Sequence, residues 1–430
     1  MQDNSSADSI STPAASSTCP YHGIGSSFDP FSKAYLSNPY AFFAQARQSE
    51  PVFFSPQLNT WLVTRYDDIK AVLHDPPRFS SVGTIETVAD FTPAAQAILS
   101  AVKPVLPHGI NNTDPPRHTR IRASVNKAFS AQRVIRYEPL VRQLANKLVD
   151  QFVGDSQVDI VQRFNYPFPA LVLFHLMGVP QADLKQVQAW CCDWIELHFA
   201  RLSPERQIEC AQSAVAYQRY IEALIEQRRA IPQDDLASDL IAAVNSGEAQ
   251  ISQEELFALI FGLVLVGNDT IAALLGNCLC YVLRDRSHWQ VICETPKFIN
   301  GIVEETLRFD GSALGLFRVT TEVVELGGVT LPKGAYLMVL FSSASHDEKY
   351  FPDPEVFNPQ RQNLGRHMGF GSGIHFCLGA PLARLATRVA LEVLSTRLPN
   401  LRLVPGQELS YKHTVHLRAL NQLHVAWDIG

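Results

Sequence analysis

The sequence predicts a mainly α protein, a large helical body with a small β-rich subdomain. Three observations predict it. From 117 to 300, apolar residues recur at helical spacing almost without a break. β-type alternation and turn residues are confined to two short regions, 51–65 and 310–341, with a weaker signal at 400–428. The composition, 46% hydrophobic and 18% charged over 430 residues, supplies ample core material for one helical body.

In chain order, the first 20 or so residues are polar and serine-rich and predict a disordered tail. Residues 21–430 are expected to form a single domain, since no internal repeat or linker interrupts them. The stretch "PVFFSPQLNTWLVTR", 51–65, predicts two strands around a Gln-Leu-Asn turn, and "DDIKAVLHD" a short helix. The stretch 80–116 predicts a long loop, of a length that is usually functional or disordered. Helices follow in "RHTRIRASVNKAFS", "PLVRQLANKLVDQFV", "PALVLFHLMGV" and "AVAYQRYIEALIEQRRA". The stretch from Ser252 to Asp285 predicts about 30 helical residues, roughly 45 Å of helix. Apolar residues occupy nearly every face of it, so it is expected to run through the interior. After 310, "VVELGGVTLPKGAYLMVLF" predicts strands around a Gly-Gly turn, and "FPDPEVFNPQR" a proline-punctuated meander. A helix at 380–397 and closing strands at 400–428 complete the chain.

The net charge of −6 offers no basic patch for nucleic acid. Eight cysteines without a CxxC pair predict scattered reduced thiols rather than a disulfide framework or zinc site. The N-terminus lacks an apolar segment of signal type. The most apolar run, 256–267, covers 12 residues, short of a membrane span. A soluble, cytoplasmic protein without a membrane anchor is expected.

The stretch "FGSGIHFCLGAPLARLA", 370–386, carries the chemistry. Cys377 lies among Gly371, Gly373 and Gly379, directly before a helix-forming segment. Thiolate is the form that ligates metal, and free N–H groups with a positive dipole end favour that anion. Glycines remove side chains and allow positive φ, so a flat macrocycle can approach. Haem iron held by a cysteine thiolate answers this need. The plainer reading is a small buried cysteine in front of a helix.

The whole string FGxGxHxCxGxxLAR resembles the haem-binding signature of the cytochromes P-450. The similarity extends in motif order from about residue 25 to 428, and soluble bacterial-type members match best. "VTRYDDIKAVLHDPPRFSS" and "EETLRFDGS" resemble the haem domain of members fused to a reductase; this sequence carries none, so either separate partners serve it or a fused part is absent from it. The resemblance implies the P-450 fold and haem b (iron protoporphyrin IX) with Cys377 as axial ligand. It places Phe370, Gly371, His375 and Gly379 against the cofactor, and His118, Arg122, Arg318 and His375 at its carboxylates. Glu305 and Arg308, in "EETLR", would form the family's ExxR network with Arg361. Asp269 and Thr270, inside the long apolar helix, would be the acid–alcohol pair beside dioxygen, with Gly267 relaxing the helix. Val266 stands where the family commonly has alanine or glycine. Ser345-His346-Asp347 replaces the usual Asn-Arg-Asp, and Phe309-Asp310 the commoner aromatic- or His-Pro. Ile85, Val88, Phe91, Leu263, Val266, Leu314 and Val415 would line an apolar substrate pocket.

The activity so implied is a haem-thiolate monooxygenase inserting one atom of O2 into a lipophilic small molecule. Electrons would come from NAD(P)H through a reductase and a ferredoxin, because the chain has no GxGxxG fingerprint of its own. A monomer is expected. The competing readings are a haem-thiolate peroxygenase or isomerase, which commonly loses the acid–alcohol pair, and a non-catalytic haem sensor.

Overall fold

The structure, a computed structural model, describes residues 23–84, 90–126 and 128–428. The expected N-terminal tail and two of the pocket candidates, Ile85 and Val88, lie outside the described residues.

The long apolar helix spans Gln253–Arg284 and forms the axis of the helical body. It starts where Ser252 and Glu255 satisfy each other's backbone: Ser252 Oγ accepts from the Glu255 N–H, and Glu255 Oε2 accepts from the Ser252 N–H. Arg117 and Arg120 then hold the Glu255 carboxylate from outside. It stops at Asp285, whose side chain caps the next helix, Arg286–Glu294. The helices Pro167–Leu176, Leu184–Phe199, Ile299–Phe309 and Ala380–Arg397 pack around it and share one apolar core. With its 32 residues the helix is long and apolar enough to cross a membrane, more than its 12-residue apolar run predicts, but 72% of its most apolar window is buried inside the protein.

The β-subdomain is a five-stranded mixed sheet in the order Val52–Ser55, Thr60–Val63, Tyr336–Val339, Leu316–Thr320 and Phe79–Ser80. Thr60–Val63 pairs parallel with Tyr336–Val339, and the other neighbours are antiparallel. Its own core joins Trp61, Val63, Ile69 and Leu337 to Phe351 and Met368. That core is what fixes the meander and the start of the cysteine loop to the sheet. The Gly327-Gly328 turn closes a hairpin between Val324–Leu326 and Val329–Leu331, both glycines having positive φ.

Three expectations need correction. The stretch 80–116 is not all loop: Pro93–Leu99 is a helix, with Thr92 Oγ1 accepting from the Ala95 N–H. The helical region is interrupted by a strand, Gln157–Asp159, which pairs with His424–Ala426. At the C-terminus, regular strand is limited to Arg402–Leu403 and His424–Ala426.

Candidate functional site

Cys377 sits half-buried in a loop that leads into the Ala380–Arg397 helix. Its N–H donates to the Phe370 carbonyl at 3.0 Å, closing the loop. Gly371 and Gly373 both have φ +71°. A Cβ on Gly373 would lie 2.2 Å from the Leu73 carbonyl oxygen, so only glycine lets the loop reach the sheet-side helix. The Gly379 and Ala380 N–H groups point at the sulfur, and Arg122 and Arg384 lend positive charge. Burial outweighs them and pushes the thiol up from its ordinary value.

Next to the loop lies a cluster of buried and half-buried nitrogen donors. His118 and Arg122 come from the Arg117–Asn126 helix, Arg318 from the sheet and His375 from the loop. His118 is 1% exposed, and neither ring nitrogen has a hydrogen-bond partner. Its ring centroid lies 4.2 Å from that of His375. Arg318, 5% exposed, donates to the carbonyl of its own neighbour Phe317, and burial pushes it down to about 10. Burial, reinforced by Arg318, His118 and Arg122, pushes His375 down to about 3. Asp114 is an acidic neighbour of the cluster, but Ser80 and Ser81 hold its oxygens. Buried donors that repel one another and lack carboxylate partners are a poor arrangement by themselves. They suit a ligand that brings its own carboxylates to face the sulfur, as haem does.

On the central helix, Val266 and Thr270 lie one turn apart on the same face. Val266, an apolar residue in an otherwise buried helix, is 44% exposed, and Thr270 Oγ1 donates to its carbonyl at 3.0 Å. Asp269 points elsewhere and is 4% exposed. Its Oδ1 accepts from Asn268 Nδ2 at 2.9 Å and lies 3.9 Å from Cys192 Sγ. Its Oδ2 is 4.0 Å from Lys412 Nζ. Burial pushes the acid up to about 6, against the Cys192 and Asn268 contacts and with Glu196. Gly267 does not open the helix, which runs unbroken through it. A Cβ there would lie 2.7 Å from Leu173 Cδ2, so the glycine serves close packing against the Pro167–Leu176 helix.

Behind the loop, Arg308 is fully buried and grips Glu305 through two bonds, Nε to Oε2 at 2.8 Å and Nη2 to Oε1 at 2.7 Å. Its remaining donors reach the Ser345, Pro354 and Val356 carbonyls. Arg361 Nε and the Asn358 N–H both donate to Glu305 Oε1, at 3.1 and 2.8 Å. One carboxylate thus fastens the irregular meander to the helix. The two departures noted in the sequence are also used. His346 is buried between Glu355 and the Phe309 carbonyl and stacks on Tyr40 at 4.1 Å. Asp310 accepts from Arg418, Tyr40 and Tyr281.

Of the other pocket candidates, Phe91 and Leu263 are half-buried, with Phe91 edge-on to His198 at 5.9 Å. Leu314 and Val415 are packed shut in adjoining segments, the Leu314 N–H donating to the His416 carbonyl at 2.8 Å. Sequence reasoning missed Ser81, Asp114 and Lys412. Ser81 Oγ lies 3.1 Å from His375 Nε2. The available signal was Asp114 directly before the Pro-Pro that opens the His118 helix, a capping pattern. Asp193, Glu196 and Cys210 also bring possible metal ligands together, but the Arg206 guanidinium already bonds both carboxylates.

Comparison with known proteins agrees with this geometry. The family model for Cytochrome P450 matches residues 51–404. Cytochrome P450 107B1 of Saccharopolyspora erythraea is 35% identical over 92% of this chain and 96% of its own. Vitamin D(3) 25-hydroxylase of Pseudonocardia autotrophica is 32% identical, again over 92% and 96%. Among solved structures, an intact type IV self-sufficient cytochrome P450 monooxygenase superposes with a TM-score of 0.91 at 31% identity. It covers 95% of this chain, which spans only 54% of that longer protein.

Proposed function

This chain belongs to the cytochrome P450 family, and on that basis we propose that it is a haem-thiolate monooxygenase of lipophilic small molecules, with Cys377 as the iron's axial ligand. The observation that carries the assignment is the donor cluster set beside that sulfur, in which both ring nitrogens of buried His118 are without a partner and Arg318 and His375 have no carboxylate partner among the described residues. His118, Arg122, Arg318 and His375 would hold the two haem carboxylates, and Phe370, Gly371 and Gly379 would border the ring. When bound, haem with a thiolate ligand supplies dioxygen activation and transfer of one oxygen atom to a C–H bond.

The chain's own residues handle geometry and protons. Cys377 would ligate the iron as the anion, the form that burial alone disfavours. The Gly379 and Ala380 N–H groups and Arg122 stabilise that charge. Thr270, whose hydroxyl bonds Val266 in the resting helix, turns outward to donate a hydrogen bond on the oxygen side. Asp269, near neutral pH a mixture of acid and anion, holds and passes the proton. Val266, Leu263 and Phe91 exclude water and favour an apolar substrate. Glu305, Arg308 and Arg361 keep the meander behind the sulfur in place.

Electrons come from separate partners, a ferredoxin and its NAD(P)H-dependent reductase, which together suit a cytoplasmic protein. Phe376, 42% exposed directly before the ligand, marks the docking face. Arg384, over the Phe370 ring that meets Phe376, and the exposed Arg366 of the preceding turn would complement an acidic carrier. The reduced, carbon monoxide-treated protein tests the assignment. A thiolate-type spectrum lost in Cys377→His supports it. An imidazole-type spectrum in the native protein refutes it.

A further inference from the structure

Glu304 and Glu305 are neighbours on the Ile299–Phe309 helix, where consecutive residues point about 100° apart. Glu305 turns to the meander, and Glu304 turns to the cysteine loop. The Glu304 carboxylate accepts twice from Arg384, from Nε to Oε1 at 2.6 Å and from Nη2 to Oε2 at 2.9 Å. Its Oε2 also accepts from His367 Nε2 at 3.1 Å. His367 stands just before the loop and Arg384 on the helix just after it, so one carboxylate joins the two ends of the segment that carries Cys377. We propose that Glu304 is a positioning residue for Cys377, one that clasps the loop from behind and so keeps the sulfur in the place of the iron's axial ligand.

The proposal rests on the haem-thiolate reading and deepens it. Geometry separates this clasp from an ordinary surface ion pair, which contributes little. The His367 side chain is 3% exposed. Its Nδ1 accepts the Gly369 N–H at 3.0 Å, which leaves the ring proton on Nε2 and makes that nitrogen the donor to Glu304. Arg384 is held through two bonds, the grip that fixes the plane of a guanidinium. Its Cζ lies 4.6 Å from the centroid of the Phe370 ring, and the Phe370 carbonyl accepts the Cys377 N–H at 3.0 Å. Contacts therefore run without a gap from Glu304 through Arg384 and Phe370 to the ligand residue. The helix also meets the loop directly: a Cβ on Gly369 would lie 2.6 Å from the carbonyl oxygen of Leu307, one turn beyond Glu304. The loop entry has a further tie, the Met368 N–H donating to Ser345 Oγ at 3.1 Å. The meander keeps its own anchor in Glu305. Loss of Glu304 is thus expected to loosen the loop and leave the rest of the fold in place.

The test takes two readouts from the holoenzyme. Amide hydrogen exchange compares the loop, 368–379, with the meander, 351–361. In parallel, the reduced protein is held under carbon monoxide in urea below its unfolding midpoint, and the rate at which the thiolate-type spectrum is lost is followed. Glu304→Ala is expected to speed loop exchange and loss of that spectrum by about tenfold, the effect of one charge-assisted pairing, while meander exchange and the urea midpoint stay near native. Glu304→Gln keeps an acceptor oxygen and is expected to recover part of both. Arg384→Met keeps an apolar stem on Phe370 and is expected to resemble Glu304→Ala in loop exchange. Any other pattern overturns the proposal: unchanged loop exchange, equal loosening of loop and meander, faster exchange without faster loss of the thiolate spectrum, or no recovery in Glu304→Gln. A native protein that never shows a thiolate-type spectrum refutes the haem-thiolate assignment instead, and the exchange readout, which needs no spectrum, keeps the two failures apart.

Discussion

Gly373 and Gly365 are eight residues apart and differ in what a methyl group would meet. At Gly373 it would lie 2.2 Å from the Leu73 carbonyl oxygen, with φ at +71°, while at Gly365 nothing lies within 4 Å. Gly373→Ala is expected to lose about 2 kcal/mol of stability and much of its haem, and Gly365→Ala little of either. Equal losses in thermal melting and haem content would remove the close-approach argument. Thr270→Ala is expected to bind substrate normally but divert reducing equivalents to hydrogen peroxide, and unchanged coupling would count against its role. Asp269 adds a stability test with a defined sign. The unfolded acid ionises near 3.8 and the folded one near 6, so ionisation opposes folding. Between those values the unfolded state binds fewer protons, and native stability falls as pH rises. Asp269→Asn should therefore match the native protein below about pH 4, gain on it up to about pH 6, and then hold a constant advantage of up to about 3 kcal/mol. A pH-independent difference in urea midpoints would place the acid in a more solvated setting. These residues stand out in the sequence because their chemistry is locally odd: a cysteine among glycines, and an Asp-Thr pair in an apolar helix. Lys412 does not, since a lone lysine in a polar segment gains meaning only from the Asp269 it meets in space.

At the level of elements, the meander is the instructive case. Residues 351–361 form no regular structure, so their backbone groups need partners from outside. Arg308 and Arg361 supply them, and Glu305 neutralises both. Glu305→Gln leaves two arginines buried around one uncharged amide and is expected to destabilise the fold by about 3–5 kcal/mol. Haem retention should fall with it, and Glu305→Asp should recover part of both. A variant with native urea midpoint and haem content would show the network to be dispensable. Long helices were legible because their pattern is local and repeated, and the Ala380–Arg397 helix lies where the sequence placed it, at 380–397. The Pro93–Leu99 helix escaped because seven residues give too little periodicity to rise above a loop-like composition. The Gln157–Asp159 strand escaped for another reason: its partner, His424–Ala426, lies over 260 residues away, and three residues carry no alternation.

Across the whole molecule, the chain matches the oxygenase half of a self-sufficient protein and spans 54% of that longer chain. With a separate electron carrier, as proposed above, the exposed Phe376 ring directly before Cys377 marks the docking face. The net charge of −6 would repel an acidic carrier at long range, so local positive charge has to guide docking. Arg366, eleven residues before Cys377 in the chain, is exposed, and Arg384 keeps part of its guanidinium in solvent while bonding Glu304. Attraction of this kind falls with ionic strength over a Debye length of about 8 Å at physiological salt. Reduction of the ferric protein by a reduced acidic ferredoxin, followed by stopped-flow under carbon monoxide, should therefore slow steeply as salt rises. Arg366→Glu should slow it about tenfold at low salt and lose most of the salt dependence, while reduction by dithionite stays unchanged. If Arg366→Glu slows both reductants alike, the haem environment has been disturbed and docking has not been measured. If it slows neither, the carrier approaches another face, and the exposed Phe376 ring needs a different occupant.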